Sequence, residues 1–177
     1  MRKLVSSLII LVSFGYLYCQ WARTYGGPKS DVVNSIIQTS DGGFLIAATT
    51  YSFGLMDESK PKIWLIKINA QGEVEWEKAY GTGNPNSIFE SKNGGNTVGG
   101  TCDSAGFVMH IDNEGEIIWQ NKIRTINEIT ELQAIYQEDQ GLFCLFKEYR
   151  YWGYSYIKAA MLSPAGEIRW GSVKHFV

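Results

Sequence analysis

The chain has 177 residues, 45% of them hydrophobic, with 16 lysines and arginines against 18 aspartates and glutamates. That is one domain's worth of foldable polypeptide, and a net charge of −2 offers no broad basic surface, which argues against nucleic acid as a partner. Nineteen Gly, only four Pro and abundant Tyr, Trp, Ile and Val predict many short strands joined by tight turns.

Arg2 and Lys3 precede an apolar run over 4–18, the pattern of a secretory signal peptide. The run is short for a membrane span, which needs about 20 apolar residues at helical rise. Cleavage after Cys19 is expected, making 1–19 the signal and 20–177 the mature domain; cleavage after Gly15, an uncleaved anchor and lipidation of Cys19 are the alternatives. Removing Arg2 and Lys3 leaves 14 basic residues against 18 acidic, a net −4. The expected location is secreted, extracellular or periplasmic, with membrane contact only through an uncleaved signal or a lipid anchor. Export permits disulfides, but Cys102 and Cys144 read first as buried apolar residues, with a bridge between them left open.

The mature chain opens at Trp21, read as a lone strand. A first repeat follows: a strand over 33–39, the turn Asp41-Gly42-Gly43, a strand over 44–47, a long loop over 50–60, a strand over 64–69, and Gly72-Glu73-Val74-Glu75-Trp76. The second has strands at 87–91 and 97–100 around Asn93-Gly94-Gly95, a short loop over 102–105, a strand over 108–112, and Gly115-Glu116-Ile117-Ile118-Trp119. The third has strands at 132–137 and 142–145 around Asp139-Gln140-Gly141, a long loop over 148–155, a strand over 159–163, and Gly166-Glu167-Ile168-Arg169-Trp170. Asp-Gly and Asn-Gly supply the positive φ that tight hairpins need. Each repeat is therefore four antiparallel strands, a to d, with Trp21, Trp76, Trp119 and Trp170 marking strand d.

Four-stranded units of this length are β-propeller blades, placed at about 31–80, 86–124 and 131–174. The expected fold is all-β and propeller-like: three four-stranded antiparallel blades plus an orphan N-terminal strand, a partial or open propeller. Closed propellers use about four to eight blades. The preferred explanation is a fragment of a longer protein, with closure by self-association of two copies or an open arc as alternatives. Trp76, Trp119 and Trp170 are expected to be mostly buried.

The elements Trp21-x-x-x-Tyr25-Gly26-Gly27, Asp41-Gly42-Gly43-Phe44 and Gly72-Glu73-Val74-Glu75-Trp76 together resemble the propeller-type tandem repeats of secreted prokaryotic proteins, over essentially all of 20–177. The stretch 69–76 also resembles the tryptophan-docking motif of quinoprotein-like propellers, which implies rings packed between neighbouring blades. The resemblance implies a fold and little about activity.

The residues point away from catalysis. His110 aligns with Lys67 and Met161 at a variable repeat position, and His175 lies in the tail. No zinc spacing, nucleophile elbow or phosphate loop is present, so no catalytic residue, metal or cofactor is expected. The expected function is a non-enzymatic module binding protein or carbohydrate; the alternatives are a structural or assembly repeat and a fragment of a quinoprotein-like oxidoreductase. The candidate ligand-binding residues are Tyr51, Phe53, Tyr149, Tyr151, Trp152 and Tyr154 in the b to c loops, with Asp31, Asn84 and Asn86 in the d to a turns at the same end. Aromatic loops present apolar ring faces beside polar tips, though extended aromatics can equally pack the sheet. The structural repeat residues are Trp21, Trp76, Trp119, Trp170, Gly72, Gly115, Gly166, Asp41 and Gly43.

Overall fold

A computed structural model describes residues 21–54, 59–123, 129–139, 141–149 and 155–169. The expected signal segment, Trp170, Tyr151, Trp152 and Tyr154 lie outside the described residues. Among the described residues twelve strands follow in order: β1 (Asp31–Gln38), β2 (Phe44–Thr50), β3 (Lys62–Ile68), β4 (Val74–Thr82), β5 (Asn84–Glu90), β6 (Asn96–Cys102), β7 (Ala105–Ile111), β8 (Ile117–Ile123), β9 (Ile129–Glu138), β10 (Gly141–Tyr149), β11 (Ser155–Leu162) and β12 (Ile168–Arg169). They form three separate four-stranded sheets, β1 to β4, β5 to β8 and β9 to β12, with sequence neighbours paired antiparallel. The fold is all-β, open and propeller-like, as the repeat predicts.

The sheets stack in chain order. Leu45, Ala47, Ile63 and Leu65 of the first meet Ile88, Val98, Phe107 and Met109 of the second. Val108 and Ile123 of the second meet Leu132, Cys144, Phe146 and Ala160 of the third. β2 and β3 are covered on both faces, which is why they read as continuous apolar runs rather than alternating ones. Cys102 and Cys144 are both buried, in different clusters, and no disulfide joins them. Burial pushes the Cys144 thiol up to about 12, so it stays protonated and behaves as an apolar side chain.

Trp21, Trp76 and Trp119 each dock on the glycine turn of the following repeat. Trp21 lies on Gly72, Trp76 on Gly115 and Trp119 on Gly166, so closely that a methyl group added at these glycines would stand 2.7, 3.0 and 2.5 Å from the rings. Trp21 Nε1 donates to the Ala70 carbonyl at 2.9 Å, and Trp76 Nε1 to that of Asn113 at 2.8 Å. Four residues after Trp21 and Trp76, the hydroxyls of Tyr25 and Tyr80 each donate to the carbonyl of the docking glycine at 2.7 Å. After Trp119 that position is Ile123, and Asn121 Nδ2 donates to the Gly166 carbonyl instead. A second clasp runs along the Asp-Gly turns. Ser40 donates from its backbone N (2.9 Å) and Oγ (2.7 Å) to the Glu90 carboxylate, and the Lys92 N donates to Gln137 Oε1 at 3.0 Å.

Two expectations need correction. Trp21 belongs to no strand; its segment is attached through the turn at Gly72 rather than through a ladder. Trp76 and Trp119 meet the expectation of burial: each packs against an inter-sheet core and lays its ring on a neighbouring turn. Asn84 and Asn86 lie within β5 rather than in a turn, since β4 continues to Thr82 and a single residue, Gly83, joins the two sheets. A Cβ at Gly83 would stand 2.9 Å from the Thr101 carbonyl oxygen, leaving no room for a side chain. Asp31 likewise opens β1.

Candidate functional site

The antiparallel order brings the b to c connections and the starts of strands a to one end of the stack: Asp31 pairs with Thr50, Asn84 with Thr101, and Ile129 with Tyr149. The three connections differ. The second sheet turns on two residues, Asp103 and Ser104, both at positive φ (46° and 64°), whereas longer segments leave β2 and β10. Positive φ at both centres gives the backbone twist that a two-residue hairpin requires.

Asp31 is a loop cap. Its carboxylate accepts from the Gly27 N at 2.8 Å, from Ser52 Oγ at 3.1 Å and from Thr50 Oγ1. Burial opposes its ionisation, but these bonds, led by that from Thr50, outweigh burial and hold the carboxyl below its ordinary value. The Tyr51 N donates to the Ser30 carbonyl at 3.1 Å, so the loop after β2 is tied to the segment before β1. Phe53 turns inward, its ring 4.9 Å from that of buried Trp64. Asn84 Oδ1 accepts from Thr49 Oγ1 at 3.2 Å, linking the first and second sheets. Asn86 Nδ2 donates to the Leu132 carbonyl at 2.9 Å, linking the second and third. In the third sheet the Tyr149 hydroxyl donates to Glu131 at 3.1 Å, with Lys147 Nζ 4.7 Å from the ring centroid. Beside it, fully buried Glu148 pairs with Lys158 at 2.5 Å. The structure thus gathers Asp31, Tyr51, Asn84, Asn86 and Tyr149 at one end, and puts Phe53 into packing.

At the opposite end a cleft of about 510 Å³ between the first and second sheets contains a charge cluster that sequence reasoning missed. Lys67 Nζ sits 2.8 Å from both Asp41 and Glu75, its side chain 8% exposed. Burial works against the ammonium, but the two carboxylates more than compensate and raise its pKa. Asp41, bonded to Lys67, Thr39 and the Gly43 N, is lowered to about 2. The available signal was a lysine inside the apolar strand Trp64-Leu65-Ile66-Lys67-Ile68, which must find a counter-charge to be buried. His110 holds the same register in the second sheet. Its Nδ1 is 3.1 Å from Thr97 Oγ1, its ring stacks on Trp119 at 5.7 Å, and burial lowers its pKa, favouring the neutral ring. Among the described residues no group of three or more His, Cys, Asp or Glu could hold a metal ion.

Fold and site together define an open propeller-like repeat with a regular end and a variable end. Compared with known proteins, the chain matches no family model and no curated protein.

Proposed function

We propose that the chain is a secreted, non-enzymatic propeller-repeat module that binds protein or carbohydrate at the end carrying the b to c connections. One observation carries this reading: the two ends differ in kind. At one end the same backbone turn recurs, with Thr39 N bonded to Gly43 O, Ser91 N to Gly95 O, Asn69 N to Glu73 O, Asp112 N to Glu116 O and Ser163 N to Glu167 O. At the other, each connection is individual, and Tyr51 and Tyr149 stand half-exposed beside the polar openings of the inner strands. Variable loops on a rigid scaffold are where binding residues concentrate, and Tyr pairs an apolar face with a polar tip suited to sugar rings or peptide side chains. The likeness to the repeats of secreted prokaryotic propellers and to the tryptophan-docking motif of quinoprotein-like propellers supports the fold behind this proposal; a redox cofactor plays no part in it.

The test is a glycan array and a partner capture with the intact chain, followed by the double change Tyr151→Ala, Trp152→Ala and, separately, Tyr149→Ala. Binding lost with unchanged circular dichroism supports the site. Binding that survives both changes places it elsewhere.

A further inference from the structure

The interface between successive sheets is built twice among the described residues, and each half of it recurs there once more without a partner sheet. Because the repeats are in register, equivalent positions can be compared across sheets. On the face that meets a preceding sheet, the ladders align Ile36 with Ile88 and Ile135, and Val33 with Pro85 and Leu132. Ile88 is 6% exposed and Leu132 fully buried, while Ile36 and Val33 of the first sheet are 55% and 66% exposed. On the face that meets a following sheet, Tyr136 aligns with Ile37 and Phe89, and Ile157 with Ile63. Ile37 and Phe89 pack into the two inter-sheet cores and Ile63 is 5% exposed, whereas Tyr136 and Ile157 of the third sheet are 66% and 55% exposed. Between them Phe143, Leu145, Ala159 and Met161 continue an apolar face that is only half-covered.

The side chains left open are therefore the two complementary halves of one interface type. We propose that two copies of this chain associate head to tail, the third sheet of each against the first sheet of the other, to close a six-sheet ring. Two copies of the three described sheets make six, within the four to eight blades of closed propellers. A heterologous contact used twice under two-fold rotation closes without leaving an open face. On the first sheet the outer part of the face is already occupied by Trp21 and Tyr25, which pack on the Trp64 and Ile66 cluster; the inner part, at Val33 and Ile36, is what a second copy covers. This contact involves sheet faces, not the loop end, and does not rest on the binding proposal.

The experiment is sedimentation velocity on the chain as its expression host delivers it, from 1 to about 100 µM, with Ile36→Glu and Ile157→Lys. A dimer is expected for the native sequence, with each single variant weakening it at least about tenfold. Mixing the two variants in equal amounts restores a dimer, because one of the two contacts in the mixed pair is then fully native. Circular dichroism and the urea midpoint of the monomer stay unchanged, since both positions are solvent-exposed in one copy; Val33→Lys and Tyr136→Lys provide a second pair. A monomer at every concentration overturns the proposal. So does a dimer lost with Ile157→Lys but indifferent to Ile36→Glu, which would signal a contact between like faces. Filaments growing with concentration overturn the closed pair. A monomer that dimerises only when 171–177 are removed makes the chain's own tail the occupant and overturns it equally.

Discussion

Replacing Gly115 by Ala tests the docking of each Trp on the following repeat, and Gly94→Ala in the same sheet serves as its control. Both glycines hold positive φ, 79° and 90°, so both substitutions carry the backbone penalty of about 1–2 kcal/mol for a Cβ in the left-handed region. They differ in what the new methyl meets. At Gly94 nothing lies within 4 Å; at Gly115 it stands 3.0 Å from two ring carbons of Trp76 and 3.1 Å from the Tyr80 hydroxyl. Carbon atoms pack best at about 3.5–4.0 Å, so the ring must retreat. Its retreat loosens the bond from Trp76 Nε1 to Asn113 and that from Tyr80 to the Gly115 carbonyl. Each is worth about 0.5–1.5 kcal/mol net, so Gly115→Ala should cost about 1–3 kcal/mol more than Gly94→Ala. Urea unfolding monitored by far-ultraviolet circular dichroism measures the difference. In a Trp76→Ala background, the excess at Gly115 should shrink to the share due to Tyr80. Equal losses at the two glycines would refute inter-repeat docking as a source of stability.

Two further outcomes follow from the packing and the charges. Asp41 is held at about 2 against an ordinary 3.8, so its ionised form contributes stability fully present above pH 3.8 and lost as pH falls towards 2. Asp41→Asn should flatten the stability profile across that window, as measured by urea midpoints at pH 2–5, and an unchanged slope would remove Asp41 from the Lys67 cluster. Gly99→Ala should cost about 1–3 kcal/mol, because the added methyl would crowd Ile135 and stand 2.7 Å from Leu132 between the second and third sheets. Gly81→Ala, whose methyl meets nothing within 4 Å, should be nearly neutral, and a similar loss of thermal midpoint for both would contradict the stacking order.

The architecture was legible in the sequence because its causes are local and repeated. Gly42, Gly72, Gly94, Gly115 and Gly166 all take the positive φ that their turns demand, and apolar runs of strand length separate them. Strand number, order and pairing follow from those turns, and the recurring Gly-Glu-x-x-Trp spacing marks the docking residues. The candidate site was only partly legible. Tyr51 lies in its loop as expected, but Tyr149 closes β10, paired with Ser155 and Ile129, and nothing local distinguishes Phe53, which packs on Trp64, from an aromatic displayed to solvent.

What the tertiary structure alone decided concerns contacts across sheets. The sequence marks Gly83 as one more glycine; only the fold shows that it alone joins β4 to β5 and that the Thr101 carbonyl and Cys102 leave no room there for a side chain. Lys67 and His110 share a register, yet one is charged between two carboxylates and the other is driven towards neutrality by burial. Asp31 reads as a candidate ligand residue and proves to cap the loops around Gly27, Thr50 and Ser52. Turn chemistry and alternation act over a few residues and are written in the chain, whereas burial and pairing depend on which distant side chain arrives opposite, and only the folded stack determines that.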